Sequence, residues 1–507
     1  MPLLNWDTLF KEVWQPCRDL YEEMATIEMK RRNLIRRPSE PEDAYNNRVK
    51  AAYLDNHFGV ALRSYAALLG KFCYTKDPNE APESITESNK ATPEGQIASN
   101  IDFNGNDFKA ILSSINQMAL CMGASLVVVD VDGEKENKRP YLKQWDLDQL
   151  YYRSEDTFSR GIVTIVEGGR TYIASFCGKY TVAELDDKGS LKDFEYYLEY
   201  NHRPAKTKLW KMVDGKPVQQ GKENQLVGAN GKKLEELPVV WHDFNGSPAG
   251  VPPLPILFRL ARLNITHFNS LSELQTILTV VNGPTPYRVW PAGQPLPEER
   301  PDMFLGINAV ADMPGGSSLG FLEPSGNAIS LSKVMIDSQV EQMQQLGQQF
   351  LSNGGIARTA TEAMLDRAKA ETLLLDMAAR VENTAEEIFK WWRVFEDPTY
   401  EYPNYAGGIE INSEALLMPV QPEEVQVVIA QFLNGLLDVP TALNILRRKG
   451  AMKDEDLSPQ MKKLMGIEDD AMEGEEEEPE EKETEKEEAH AETEPEESEG
   501  QGSSETE

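Results

Sequence analysis

The sequence lacks any run of about 18 apolar residues, the length a helix needs to cross a bilayer. Its longest candidates are the short 126–131 and the amphipathic 254–281, so no membrane span is expected. Asp7, Lys11 and Glu12 interrupt the apolar residues at the start, which is not the pattern of an export signal. Cysteine is scarce: Cys17, Cys73, Cys121 and Cys177 are widely spaced and form no CxxC pair. They are expected to be reduced thiols of an intracellular protein, buried as small hydrophobes. The five histidines, His57, His202, His242, His267 and His490, stand alone, without an HExxH or a Cys/His ligand spacing. No metal and no cofactor is therefore expected. A GxxxxGK[ST] phosphate loop is missing too, because Gly228-Ala-Asn-Gly-Lys-Lys233 has neither the spacing nor the closing hydroxyl, and this argues against an ATPase.

Positive charge is also in deficit, with 51 Lys and Arg against 84 Asp and Glu and a net charge of -33. Residues 468–507 hold 21 carboxylates and two lysines, which leaves -14 on the remainder. Affinity for DNA phosphates comes from lysine and arginine displacing counterions, so any contact with DNA is expected to be loose. The acidic stretch is nearly free of apolar residues and reads as a disordered, self-repelling extension, with a partner-binding or DNA-mimicking element as the alternative.

The 507 residues are enough for roughly three domains with a sizeable core. Apolar residues recur at helical spacing over 6–74, broken at Arg37-Pro-Ser-Glu-Pro41, which predicts at least two helices. Residues 77–104 are polar and aperiodic and read as a long surface connection, followed by a helix over 108–122. Strand patterns cover 125–132, 161–176, 194–200, 208–218 and 237–244, with turns at Gly168-Gly169 and Asp214-Gly215. The fold class is α+β.

Prolines after Asn245 predict a long helix over 254–281, ended by Asn282-Gly-Pro284. Residues 285–326 read as a compact insertion with strands near 287–290 and 319–322. A second helix over 331–351 has the stripe Ile336, Val340, Met343, Leu346 and Phe350, with Gln339, Gln342, Gln345, Gln348 and Gln349 on the remainder. Ser352-Asn-Gly-Gly-Ile356 is a break. Thr359-Ala-Thr-Glu362 is a capping box opening a third long helix to about Trp392. A turn over 403–411 and two shorter helices precede the acidic stretch.

Sites for chemistry are few. Asp130 and Asp132 lie two apart on a strand, so a divalent cation is conceivable, but a strand end running into the Asp132-Gly133 turn is the better reading without a third acidic ligand. Tyr151-Tyr152 and Tyr196-Tyr197 lack neighbouring basic patches and are read as core and interface packing. No catalytic residue is assigned, and the chain is not expected to be an enzyme.

Helix, small strand-rich insertion, helix, loop and long third helix after a mixed body form an order that resembles the portal proteins of tailed bacteriophages. Similar to one portal branch are Tyr45-Asn-Asn-Arg48 with Asn56 and Leu69-Gly70, Val251-Pro-Pro-Leu254, Leu263-Asn-Ile-Thr-His-Phe-Asn-Ser270 and Thr359-Ala-Thr-Glu-Ala363. The resemblance implies a wing at 1–250, stem helices at 251–284 and 329–351 around an α/β clip at 285–328, and a tunnel loop at 352–358. It further implies a long wing helix at 359–402, a helical crown at 403–466 and the disordered acidic tail at 467–507. Twelve subunits would form a ring at one capsid vertex, the channel for packaging and ejecting double-stranded DNA. Its partners would be the large terminase, the major capsid protein and the tail adaptor, in the virion and, during assembly, in the host cytoplasm. Gln342, Gln345 and Gln349, with Asn353 and Arg358 at the constriction, are the candidates for lining the channel. The competing readings are another head-to-tail adaptor or scaffold ring and, from a different class, a metal-dependent nuclease using Asp130 and Asp132.

Overall fold

The computed structural model describes residues 5–75, 81–87, 91–131, 139–185, 190–282, 285–289, 318–322, 326–348 and 360–411. The chain begins with helical turns over Trp6–Leu9 and Phe10–Trp14 that continue into α1, Gln15–Tyr21. Three more helices follow, α2 (Ile27–Asn33), α3 (Glu42–Ala51) and α4 (His57–Leu69). Their starts are set locally: Thr26 Oγ1 accepts the Met29 amide at 3.2 Å and Asn56 Oδ1 the Gly59 amide at 2.9 Å. A Cβ at Gly59 would lie 2.5 Å from Asn56 Nδ2, so this cap requires the glycine.

After strand β1 (Phe72–Tyr74), the described parts of the segment expected to be a long surface connection, 81–87 and 91–104, are instead packed. Short helices at Glu83–Thr86 and Pro93–Ala98 bury Ala81, Ile85, Ala98 and Ile101. A few apolar residues without periodicity suffice once tertiary partners surround them, and Trp392 Nε1 reaches back to donate to Ser84 Oγ at 2.9 Å. Helix α5 (Phe108–Met122) has the predicted bounds, because Asp107 caps it at the Ala110 amide and Gly123, at φ +106°, closes it.

Among the described residues ten strands come next, β2 (Ala124–Val131), β3 (Pro140–Asp146), β4 (Leu150–Ser154), β5 (Thr157–Arg160), β6 (Val163–Glu167), β7 (Arg170–Leu185), β8 (Leu191–Asn201), β9 (Lys206–Val213), β10 (Lys216–Gln225) and β11 (Val239–Asp243), and they build two sheets. The first sheet has the order β11-β2-β3, and α5 packs on it. Consecutive residues Ala124 to Asp130 are all buried, so the central strand is covered on both faces. The second sheet is seven-stranded and antiparallel, β10-β9-β8-β7-β4-β5 with β6 also on β7. Its hairpins turn where predicted, at Gly168 and Gly169 (φ +56° and +81°) and at Asp214 and Gly215 (φ +51° and +76°). The sheets meet at Gly178, where a Cβ would lie 2.3 Å from the Trp145 ring.

The long helix α6 spans Phe258–Asn282, four residues later than the prolines suggest. Side chains hold the preceding backbone extended: Trp14 Nε1 donates to the Pro253 carbonyl at 3.0 Å and Asn245 Nδ2 to the Leu254 carbonyl at 2.7 Å. In the insertion, β12 (Thr285–Val289) pairs antiparallel with β13 (Ser318–Leu322), and α7 (Gly326–Gln348) returns along α6. Helix α8 (Ala360–Glu396) runs one turn past Trp392 and packs on β11 and β2. The chain beyond 403 rejoins the body, where β14 (Ile409–Ile411) pairs with β1. The rest of the expected crown and the acidic tail lie outside the described residues.

Where α8 crosses β11, His242 is fully enclosed. The Thr384 hydroxyl donates to the Arg380 carbonyl at 2.8 Å, so it accepts from His242 Nδ1 at 2.7 Å and fixes the Nδ1–H tautomer. Burial, reinforced by Arg380, pushes the imidazole down to about 3. A base whose folded pKa lies below its unfolded 6.5 supports the fold fully above 6.5 and loses that support as pH falls towards 3. Between pH 7 and pH 5 the loss is expected to reach about 2 kcal/mol, with buried His267 acting in the same sense. Urea midpoints across that range test it: His242→Phe should flatten the slope, and an unchanged slope would refute the assignment.

Candidate functional site

The sequence motifs converge on α6. Its buried side is not purely apolar: Asn264, His267 and Ser272 are enclosed beside Leu260, Ala261 and Phe268. Asn264 Oδ1 accepts the Phe58 amide at 2.9 Å while its Nδ2 donates to the Asp55 carbonyl at 2.7 Å. Asn269 repeats the arrangement, accepting the Ile35 amide and donating to the Asn33 carbonyl, both at 2.9 Å.

One turn further on, charge takes over. Arg48 Nη2 lies 2.7 Å from Glu40 Oε2 with side chains only 6% and 4% exposed, and Arg48 also donates to the Ile35 carbonyl at 2.7 Å. Hydrogen bonding to Arg48 holds the Glu40 carboxyl down at about 2. Glu273 of α6 receives Arg37 Nε at 3.0 Å and stands 3.7 Å from Arg48 Nη1. The motif residues Tyr45, Arg48, Asn56, Asn264 and Asn269 thus belong to one joint between the N-terminal helices and α6, with Tyr45 donating to the Leu34 carbonyl at 2.9 Å and Asn56 to the Leu20 carbonyl at 2.7 Å.

On α7, Ile336 and Met343 are buried, a Cβ at Gly347 would meet Ala61 and Leu260, and the Tyr65 hydroxyl donates to the Gly347 carbonyl. Gln339 corrects its assignment to the outer face: it is buried and donates to Ser270 Oγ at 3.2 Å. Gln342 and Gln345 are exposed. Gln349, Asn353 and Arg358 lie outside the described residues. What the periodicity reading passed over is a second apolar set on α7: Leu331, Val334 and Met335 are 71%, 66% and 57% exposed. Their i, i+3, i+4 spacing, offset from the buried stripe, was the available signal. They share the outward face with Ser338, Glu341, Gln342 and Gln345, so that face is apolar near the insertion and amide-rich farther on.

The other candidates resolve differently. Asp130 is buried and accepts from the Val131 amide at 2.8 Å, Tyr200 at 3.2 Å and Tyr141 at 3.3 Å. Burial raises its pKa, which disfavours a charged metal ligand, and Asp132 lies outside the described residues. Asp130 lines an open polar cleft of about 800 Å³ with Lys143, Asn104 and Asn106. Among the described residues no three His, Cys, Asp or Glu side chains gather to hold a metal. His57 and His267, read as isolated, are neighbours, with ring centroids 6.4 Å apart and His57 Nε2 3.2 Å from Asp55. Tyr197 stacks on Phe158 at 3.9 Å and Tyr196 on Tyr180 at 5.6 Å, so neither ring is an open base-stacking platform. Among the described residues no helix is long and apolar enough to cross a membrane.

Comparison with known proteins adds three findings. No curated protein matches the chain. A solved structure described as the neck of an empty GTA particle computed with C6 symmetry is 9% identical, with a TM-score of 0.38, covering 81% of this chain and 89% of that one. One described as the virion of a native gene transfer agent particle is 10% identical, with a TM-score of 0.36, covering 86% and 96%. Residues 256–395, from two residues before α6 to the last turn of α8, match the family described as a domain of unknown function, DUF4055.

Proposed function

We propose that the chain is a portal subunit: copies close into a ring at a capsid vertex, and the α6–α7 hairpin forms the stem around a channel for double-stranded DNA. The observation that carries this reading is the divided outward face of α7. Past the Glu273 ion pairs, from Leu274 to Thr279 on α6 and from Ser330 to Met335 on α7, no residue is buried, so this end of the hairpin carries little packing of its own. Two helices cannot enclose a core of their own, and three large apolar side chains left in water forgo roughly 1.5–3 kcal/mol each. Equivalent hairpins of neighbouring copies would cover them, and a head-to-tail contact that closes gives a ring. A rod set at a tilt in such a ring gives one end of a face to its neighbour and the other to the bore.

The part turned to the bore suits a passing duplex. From Ser338 to Gly347 there is no lysine or arginine, and the exposed side chains are the amides of Gln342, Gln344 and Gln345 and the carboxylate of Glu341. DNA carries one phosphate charge per roughly 1.7 Å, so a lysine-lined wall would grip it at many points, while neutral and acidic groups let it slide. The subunit acts as a conduit and docking platform for the terminase, capsid protein and tail adaptor, not as an enzyme. Electron microscopy of the purified full chain tests the reading: rings with a duplex-wide hole are expected, and a monomer under all conditions, including within particles, would overturn it. Gln342→Lys with Gln345→Lys should leave the rings intact and lower packaged DNA or infectious yield on the order of tenfold. Unimpaired DNA passage would take these positions out of the bore.

A further inference from the structure

Asn264 and Asn269 act as caps for helices that are not their own. The first amides and last carbonyls of any helix have no partner within it. At the start of α4, Asn56 takes the Gly59 amide, and the Phe58 amide is taken by Asn264 of α6, which also donates to the Asp55 carbonyl just ahead. At the end of α2, the Asn33 carbonyl receives Asn269 Nδ2, and the Ile35 amide beyond it is taken by Asn269 Oδ1. Each carboxamide therefore uses its donor and its acceptor together at a helix end, and Asn269 Nδ2 is anchored to its own helix through the Ile265 carbonyl at 2.9 Å.

Apolar packing is non-directional and tolerates small slides, whereas amide hydrogen bonds weaken steeply when misaligned. Five residues separate the two bridges, a rise of about 7.5 Å and a rotation of about 140° around the axis. With one such bridge, turning of α6 would be resisted mainly by the half-exposed Glu273–Arg37 pair. Two, offset along and around the rod, fix both height and rotation. We infer that Asn264 and Asn269 are positioning residues that set the register of α6 against the N-terminal helices. The inference rests on the portal reading only for its consequence, which is that these side chains set how each stem rod is presented to the bore.

The test uses the full chain with exposed Cys73 replaced by serine and spin labels at Val60→Cys on α4 and Gln275→Cys on α6, diluted with unlabelled chain. The unaltered joint should give one narrow distance distribution. With Asn264→Leu and Asn269→Leu the distribution should broaden and move by about 1.5 Å or more, one residue's rise. Hydrogen exchange at Phe58 and Ile35 should quicken about tenfold while the α5 amides keep their protection. Should the double variant fold poorly, Asn269→Asp serves: it keeps the acceptor for Ile35 and loses the donor for Asn33, so Ile35 should stay protected while the distance still shifts. An unchanged distance distribution in these variants would overturn the inference. Failure of the chain to form rings would instead sink the portal reading and leave this measurement intact.

Discussion

Replacing Arg48 by methionine is expected to destabilise the chain by about 3–5 kcal/mol, because Glu40 would remain as a buried carboxylate without its partner. The pair is among the least exposed ionic contacts described, and the arginine also satisfies the Ile35 carbonyl. Removing both charges is a different matter. Glu40→Leu with Arg48→Met should recover most of the loss, since the cost of burying two ions disappears along with their attraction. The acid dependence gives a second check. Glu40 has a folded pKa lowered to about 2, so its contribution is present above about 4.5 and is lost as pH falls towards 2. The stability gap between the parent and Arg48→Met should therefore narrow over that window. Denaturant midpoints of the two single variants and the double variant measure the coupling; additive losses would show that the two side chains do not act as a pair.

Leu331→Asp with Met335→Asp is expected to abolish ring formation while leaving the fold intact. Both positions are exposed in the single chain, where substitutions seldom change stability by more than about 0.5 kcal/mol. In an assembled ring the same change would bury two unpaired carboxylates at every subunit contact, a cost of several kcal/mol per contact multiplied around the circle. Light scattering of the eluted protein distinguishes the cases, with Glu341→Gln on the same face as a control that should still assemble. Rings that persist in the double aspartate variant would mean that this surface meets water in the assembly, and the stem assignment would have to be given up.

Local signals were readable wherever one residue type has one conformational use. Gly168-Gly169 and Asp214-Gly215 turn with positive φ as their composition requires, and Asp107 and Gly123 fix the ends of α5. The start of α6 was not readable, because the indole of Trp14, about 240 residues earlier, competes for the Pro253 carbonyl. Gln339 was misplaced for a related reason. Helical period assigns polar residues to the outside, and only the position of Ser270 on the facing helix makes an inside place affordable. The nearness of His57 to His267 left no trace in spacing, since it depends on how α4 meets α6. Asn264, Asn269 and Arg48 stood out as motif letters, but their use as reciprocal bridges and a buried ion pair emerges only from the packing.

The trans-capped helix ends carry a consequence for synthesis on the ribosome. Helices α2 and α4 are made early, yet the side chains that complete their ends appear about 200 residues later, and β1 waits for Ile409–Ile411. At roughly 5–20 residues per second, the emerging amino-terminal third must stay unfinished for tens of seconds, the Phe58 and Ile35 amides met only by water. Translation speed through the intervening strands, and whatever shields the nascent segment meanwhile, should therefore govern the yield of soluble subunit more strongly than the stability of the completed chain.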